Sequence, residues 1–332
     1  MRYCLVVICL FLLSSCEKDE PIKDDLSSGN CRDFPMMART FFTESRFQYK
    51  APCFNPENPN EFVYYYKDNE QRIYQLITYN LETGKKTILT NTDKIYGQPR
   101  WGSSGWIANT RKQGYVDHIF IVKENGDSLS QFTSVTANLS PFWNNSKNEL
   151  LWTHSPDLGA EWYLLGKTLY SEDVDTLSSI WGGGAVDISN GKVLHKKNIN
   201  GTPFYGYFNL SDRVDSLTDD EFVKISNLKG ATGGISWHSS GSFFYVSHVG
   251  GDNRGLYKVS LQGASERLMR YCDTKRYSIM SCSSDGKYIV AERIDSSLGL
   301  NENNQPTGEI IEESSIWLID TKTLEEKKIE LN

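Results

Sequence analysis

A large apolar residue closes a short strand, a turn rich in Ser, Asn, Asp or Gly follows, and an apolar strand is launched; this phrase recurs along the chain. Its clearest copies are Pro99-Arg100-Trp101-Gly102-Ser103-Ser104-Gly105-Trp106, Pro141-Phe142-Trp143-Asn144-Asn145-Ser146-Lys147-Asn148 and Ile235-Ser236-Trp237-His238-Ser239-Ser240-Gly241-Ser242. Cys282-Ser283-Ser284-Asp285-Gly286-Lys287 is a fourth, while Pro52-Cys53-Phe54-Asn55-Pro56-Glu57-Asn58 and Asp187-Ile188-Ser189-Asn190-Gly191-Lys192 are weaker. Successive copies lie about 42 to 50 residues apart, the period of four-stranded propeller blades. Six copies predict six blades. In the copy at 187–192, Asp187 stands where the aromatic anchor belongs.

The launched strands are expected at 62–66, 106–109, 150–153, 193–195, 243–247 and 288–291. A third strand follows, as at 119–122, 256–259 and 316–319. A second polar turn such as Glu82-Thr83-Gly84 or Asn125-Gly126-Asp127 then leads to an outer strand, as at 86–90 or 266–269. The expected fold is all-β, a six-bladed β-propeller of four-stranded antiparallel blades over residues 47–332. Because the final strand, 325–331, belongs to the sixth copy, closure needs no strand from the N-terminus. The Trp-Ser-Pro-Asp-Gly-like turn, the Ile-Tyr-like third strand and the ending Leu89-Thr90, with Phe132-Thr133 as its variant, resemble TolB-type propeller repeats. The resemblance covers roughly residues 47–332 and implies a TolB-like ring, for which protein or ligand binding is the usual expectation. TolB also has an α/β domain before its propeller, and here only about thirty residues separate Cys16 from the first blade. The role of TolB in its envelope system is therefore not carried over.

The first fifteen residues read as a targeting signal, with Arg2 giving a positive start and an apolar run of about ten residues that is too short to span a bilayer as a helix. Leu13-Ser14-Ser15-Cys16 resembles the lipobox of bacterial lipoproteins, which implies that Cys16 is acylated and becomes the first mature residue. Several acyl chains, at about 0.8 kcal/mol per buried methylene, anchor durably where one does not. Glu17-Lys18-Asp19-Glu20 resembles the surface-export signals of some Gram-negative lipoproteins, pointing to the outer membrane, on its periplasmic side or at the cell surface. Residues 16–30 read as a flexible tether and 31–46 as an N-terminal arm on the rim of the ring. Export permits disulfides. Cys31, Cys53, Cys272 and Cys282 remain after processing and allow three complete pairings, with buried free thiols as the alternative.

Aromatics make up 12% of the chain, and Tyr and Phe far outnumber Met, which suits strands. A net charge of −7 without a Lys/Arg cluster argues against nucleic acid as a partner. No Gly-x-Ser-x-Gly elbow occurs, and His118, His154, His195, His238 and His248 are expected in different blades, without a His-Glu-x-x-His spacing. No catalytic residue, metal ligand or cofactor is assigned on these grounds. Trp101, Trp143 and Trp237 read either as sugar-stacking platforms or as inter-blade packing, and their shared repeat position favours packing.

Counting six residues onward from each turn reaches Lys67, Lys112, His154, Asn198, His248 and Arg293, where second strands leave the sheet. Equivalent positions come round the axis at one height, so a basic ring is expected near the loops joining second and third strands. The insertion at 294–314, with Gly, Asn and Pro, has the composition of a mobile functional loop beside it. The ligand expected there is a protein segment or an anionic glycan, bound by Lys67, Lys112, His154, His248 and Arg293 of a monomer held to the membrane by its lipid. Two functional classes follow: a non-enzymatic binding or scaffold lipoprotein of the outer envelope, and a carbohydrate-active lyase or hydrolase, or a peptidase-like enzyme, built on a propeller. An enzyme needs an acid and a base converging on one point; a binding platform does not.

Overall fold

The computed structural model describes residues 41–331 apart from 93–94, 135–136, 157–160, 181–184, 211–220 and 230–231. Cys16, the tether and Cys31 lie outside the described residues.

A short strand, β1 (Phe41–Glu44), precedes six sheets of sequential antiparallel strands. Blade 1 is β2 (Phe47–Phe54), β3 (Glu61–Asp68), β4 (Ile73–Asn80) and β5 (Lys86–Thr92); blade 2 is β6 (Ile95–Trp101), β7 (Trp106–Gln113), β8 (Val116–Lys123) and β9 (Ser130–Gln131). Blade 3 is β10 (Asn138–Asn144), β11 (Glu149–His154), β12 (Trp162–Thr168) and β13 (Asp175–Ile180); blade 4 is β14 (Ala185–Ser189), β15 (Lys192–Ile199), β16 (Thr202–Asn209) and β17 (Val223–Lys229). Blade 5 is β18 (Thr232–Trp237), β19 (Phe243–His248), β20 (Gly255–Ser260) and β21 (Ser265–Arg270); blade 6 is β22 (Lys275–Cys282), β23 (Tyr288–Leu300), β24 (Pro306–Asp320) and β25 (Glu326–Lys328). The protein is thus an all-β, six-bladed propeller. No helix among the described residues is long and apolar enough to cross a membrane.

Successive side chains point to opposite faces, so near-continuous apolar runs such as 150–152 and 244–246 make blades apolar on both faces, and the core lies between blades. Val63 and Leu76 of blade 1 pack on Ile107 and Val122 of blade 2, and Leu194 and Tyr205 of blade 4 on Ile235 and Phe244 of blade 5. Ring closure uses the same device: Phe54 and Phe62 pack on Val290 and Ile316, with Ile329 and Leu331 from the C-terminal segment. Polar side chains reinforce that seam. Glu292 Oε2 accepts the Ala51 N–H at 3.1 Å, and Gln48 bonds the backbone of Glu312 and Ser314.

Strand register corrects the sequence reading of blade 4. The anchors Phe54, Trp101, Trp143, Trp237 and Cys282 pair across the ladder with Phe62, Ile107, Leu150, Phe244 and Ile289, and the residue in that register in blade 4 is Ile188, paired with Val193. Asp187 therefore precedes the anchor and matches Ser236 and Ser281. All three side chains do one job. The anchor N–H of the following blade is accepted by Asp187 Oδ2 (from Trp237, 3.2 Å), by Ser236 Oγ (from Cys282, 3.1 Å) and by Ser281 Oγ (from Phe54, 3.1 Å).

The insertion at 294–314 is a regular two-stranded ribbon rather than a loop: β23 and β24 stay paired out to Leu298–Ile310 and Leu300–Pro306. The alternation Ile294, Ser296, Leu298, Leu300 carries the strand outward, and the turn closes where Asn301 Oδ1 accepts the N–H groups of Asn303 and Gln305. β1 lies parallel along this ribbon, Phe41 to Glu44 against Glu309 to Glu312. The Glu44 carboxylate binds Lys50 and Lys67. Burial pushes the Glu44 pKa up, but the two ammonium groups outweigh it and bring it from 4.5 to about 2. A depressed carboxyl pKa stabilises the fold above about pH 4.5, and that contribution is lost as pH falls towards 2. Hydrogen exchange is expected to show protection of the β1 amides falling across this window, and Glu44→Gln is expected to lack it already at neutral pH. Equal protection in both proteins at every pH would refute this role for Glu44.

Cys272 is disulfide-bonded, while Cys53 and Cys282 are free thiols. Burial pushes the Cys282 thiol up to about 12, so it carries no thiolate at neutral pH.

Candidate functional site

The inner strands β2, β6, β10, β14, β18 and β22 surround the axis. At the end where first strands turn into second strands, residues from all six blades enclose a cavity of about 350 Å³, and every anchor from Phe54 to Cys282 reaches its wall. The three indoles serve packing, as their repeat position suggested. Trp143 covers Gly102 so closely that a Cβ there would lie 2.7 Å from the ring, and its Nε1 donates to the Arg100 carbonyl at 2.9 Å. Trp237 packs edge-on against Phe244 at 5.3 Å. Serines 189, 236, 239, 281, 283 and 284 provide most of the polar lining.

The inner strand of every blade carries a bulge, where the ladder register slips by one or more residues. A bulge frees backbone groups that burial would leave unsatisfied. Two side chains of β6 supply partners. Arg100 Nη2 donates to the carbonyl of Val186, the bulge residue of blade 4, and Gln98 Nε2 donates to the carbonyls of Pro52 in blade 1 (2.7 Å) and Met280 in blade 6 (3.1 Å). Together they tie four blades across the axis, and Arg100 floors the basin. Burial raises the Asp187 pKa, while the positive charge of Arg100 and the N–H groups of Trp237 and Ile188 favour its anion.

Chemistry is scarce in this basin. Arg100, Asp187, Ser236 and Ser281 are engaged in joining blades. His238 is the only imidazole on the wall; it stacks on Phe243 at 4.2 Å, its Nδ1 pairs with Ser240 Oγ at 2.8 Å, and burial lowers its pKa. His118 and His154 lie in blades 2 and 3 and His195 in blade 4, but His248 shares blade 5 with His238 rather than taking a blade of its own, because one blade's first turn and second strand each carry a His; none of these four is on this wall. Among the described residues, no group of three or more His, Cys, Asp or Glu side chains is placed to hold a metal ion.

The six residues counted from the turns do not share one register. Lys67, Lys112 and Asn198 lie five residues beyond the anchor's ladder partner, whereas His154, His248 and Arg293 lie four beyond it. Alternation sends these two sets to opposite sides of their blades. Turns of unequal length caused the slip, since counting from the turn does not count from the ladder. Lys67 is bound to Glu44, and Arg293 donates to Asp295 Oδ1 and lies 4.0 Å over the Trp317 ring. His154 Nδ1 bonds Asn138 Oδ1 at 3.1 Å, and His248 is buried. Lys112 and Asn198 are exposed. The sequence reading missed Gln98, Arg100 and Lys196. A signal for Arg100 and Asp187 existed: both are charges at the same repeat position, just before an apolar anchor.

No protein-family model and no curated protein matches the chain. Solved structures do match. TolB from Acinetobacter baumannii aligns with 85% of this chain and 67% of its own at 16% identity and a TM-score of 0.53. The β-propeller domain of the Trilobed protease from Pyrococcus furiosus aligns with 87% of this chain and 99% of its own at 12% identity and a TM-score of 0.56. At such identities the likeness concerns the fold, a TolB-like six-bladed propeller.

Proposed function

We propose that this chain is a non-enzymatic binding or scaffold lipoprotein of the bacterial outer envelope, held by acylated Cys16 and receiving a protein or ligand in the basin at the turn-side mouth. The observation that carries the reading is that the basin draws its wall from all six blades while its two charged side chains, Arg100 and Asp187, are used in holding those blades together. A concave, floored surface with hydroxyl and aromatic walls suits binding, whereas catalysis would need an acid and a base within reach of one point.

The test combines anchor and basin. Cells fed a fatty-acid probe are expected to label the wild type and not Cys16→Ala. Cross-linking in intact cells is expected to recover partners that are lost in Ser239→Trp, which fills the mouth from an exposed wall position. Label on Cys16→Ala would remove the anchor, and an unchanged partner set in Ser239→Trp would remove the basin. Hydrolysis or elimination of a glycan or peptide by the purified chain would replace the binding reading with an enzymatic one.

A further inference from the structure

On the side of Arg100 away from the basin, the channel holds a second chamber of about 180 Å³, lined from blades 2 to 6. Its walls include Pro141, Val186, Ile235 and Ile279, and among the described residues its lining contains no carboxylate. Arg100 is already bound to Val186. The second cation, Lys196, is half-buried and lies 5.9 Å from the Tyr205 ring centre, with no acidic partner among the described residues. Burial lowers its pKa from 10.5 to about 8. An ammonium left in a mostly apolar cavity without a counterion is costly, and such groups ordinarily face an anion.

The repeat supplies the missing half. Lys196 lies three residues beyond Val193, and Glu292 three beyond Ile289, so the two hold equivalent positions in blades 4 and 6. Glu292 reaches the bulge of the next blade, where its carboxylate accepts the Ala51 N–H near the charge of Lys50. Ala51 lies three residues before its anchor Phe54, and Gly234 three before Trp237. The blade 5 ladder skips Gly233 and Gly234. At the blade 6 to blade 1 seam the protein supplies its own carboxylate; at the blade 4 to blade 5 seam an amine and a glycine bulge line one chamber.

We propose that this chamber is a binding site for a small aliphatic monocarboxylate, with the carboxylate between Lys196 and the Gly233-Gly234 bulge, in the place Glu292 takes in the other seam, and the tail against Pro141, Ile235 and Ile279. The site is separate from the basin and independent of the lipid anchor.

Calorimetric titration of the detergent-solubilised full chain with hexanoate tests it, with hexanamide as the neutral probe of equal shape. Hexanoate is expected to bind and hexanamide to bind at least about tenfold more weakly, the size of one charge-assisted hydrogen bond. Lys196→Met keeps the stem and removes the charge, so it is expected to lose about tenfold or more in hexanoate affinity while melting no lower than the wild type. Affinity is expected to fall about tenfold from pH 7 to pH 9 as the amine deprotonates. The proposal is overturned if the wild type does not bind hexanoate, if hexanamide binds equally well, or if folded Lys196→Met binds as the wild type does.

Discussion

Arg100→Met is expected to destabilise the ring by about 3–5 kcal/mol, the usual cost of removing one partner from a buried charged pair. Two losses coincide. The Val186 carbonyl, freed by the blade 4 bulge, loses its donor, and Asp187 loses the positive charge that offsets its burial. Asp187→Ser tests the assignment, because Ser236 and Ser281 perform the same N–H acceptance with a neutral hydroxyl. On its own Asp187→Ser is expected to cost less than Arg100→Met, and combined with Arg100→Met it is expected to recover part of the loss. Urea unfolding of the four proteins closes the cycle. Additive costs would show that the two residues act separately.

Trp143→Ala is expected to cost about 3–5 kcal/mol, as large-to-small changes of buried aromatics do. The indole is buried, fills the space that Gly102 leaves open, and ties blade 3 to blade 2 through the Arg100 carbonyl. Trp143→Phe retains much of the ring but loses the hydrogen bond, so its cost should be smaller. Thermal melting distinguishes the packing role from a glycan-stacking one. A Trp143→Ala protein with unchanged melting and lost glycan affinity would show that the ring serves a ligand instead.

The basic mouth illustrates why the fold was legible in the sequence while its sites were not. Turn chemistry and apolar alternation are local, so Trp101, Trp143 and Trp237 with their Ser, Asn and Gly turns announced the blades directly. Register is set by pairing between strands, and counting along the chain from turns of unequal length cannot recover it. Lys67 and Arg293 were visible as cations, but their partners Glu44 and Asp295 are brought to them by β1 and by the ribbon. The ribbon itself was hidden by the composition of its turn and by the weak apolar alternation of its two strands.

By itself, the sequence determined the number of blades, their four-stranded build and the anchors outside blade 4, because each depends on residues that are neighbours along the chain. Only the tertiary structure decided that Asp187 is a linker between blades and not an anchor, that Gln98 and Arg100 tie four blades across the axis, and that Lys196 stands where another blade carries Glu292. Those facts depend on which residues share a height around the axis. Ring closure sets that height by joining segments far apart in sequence, such as Gln98 with Met280 and Ala51 with Glu292.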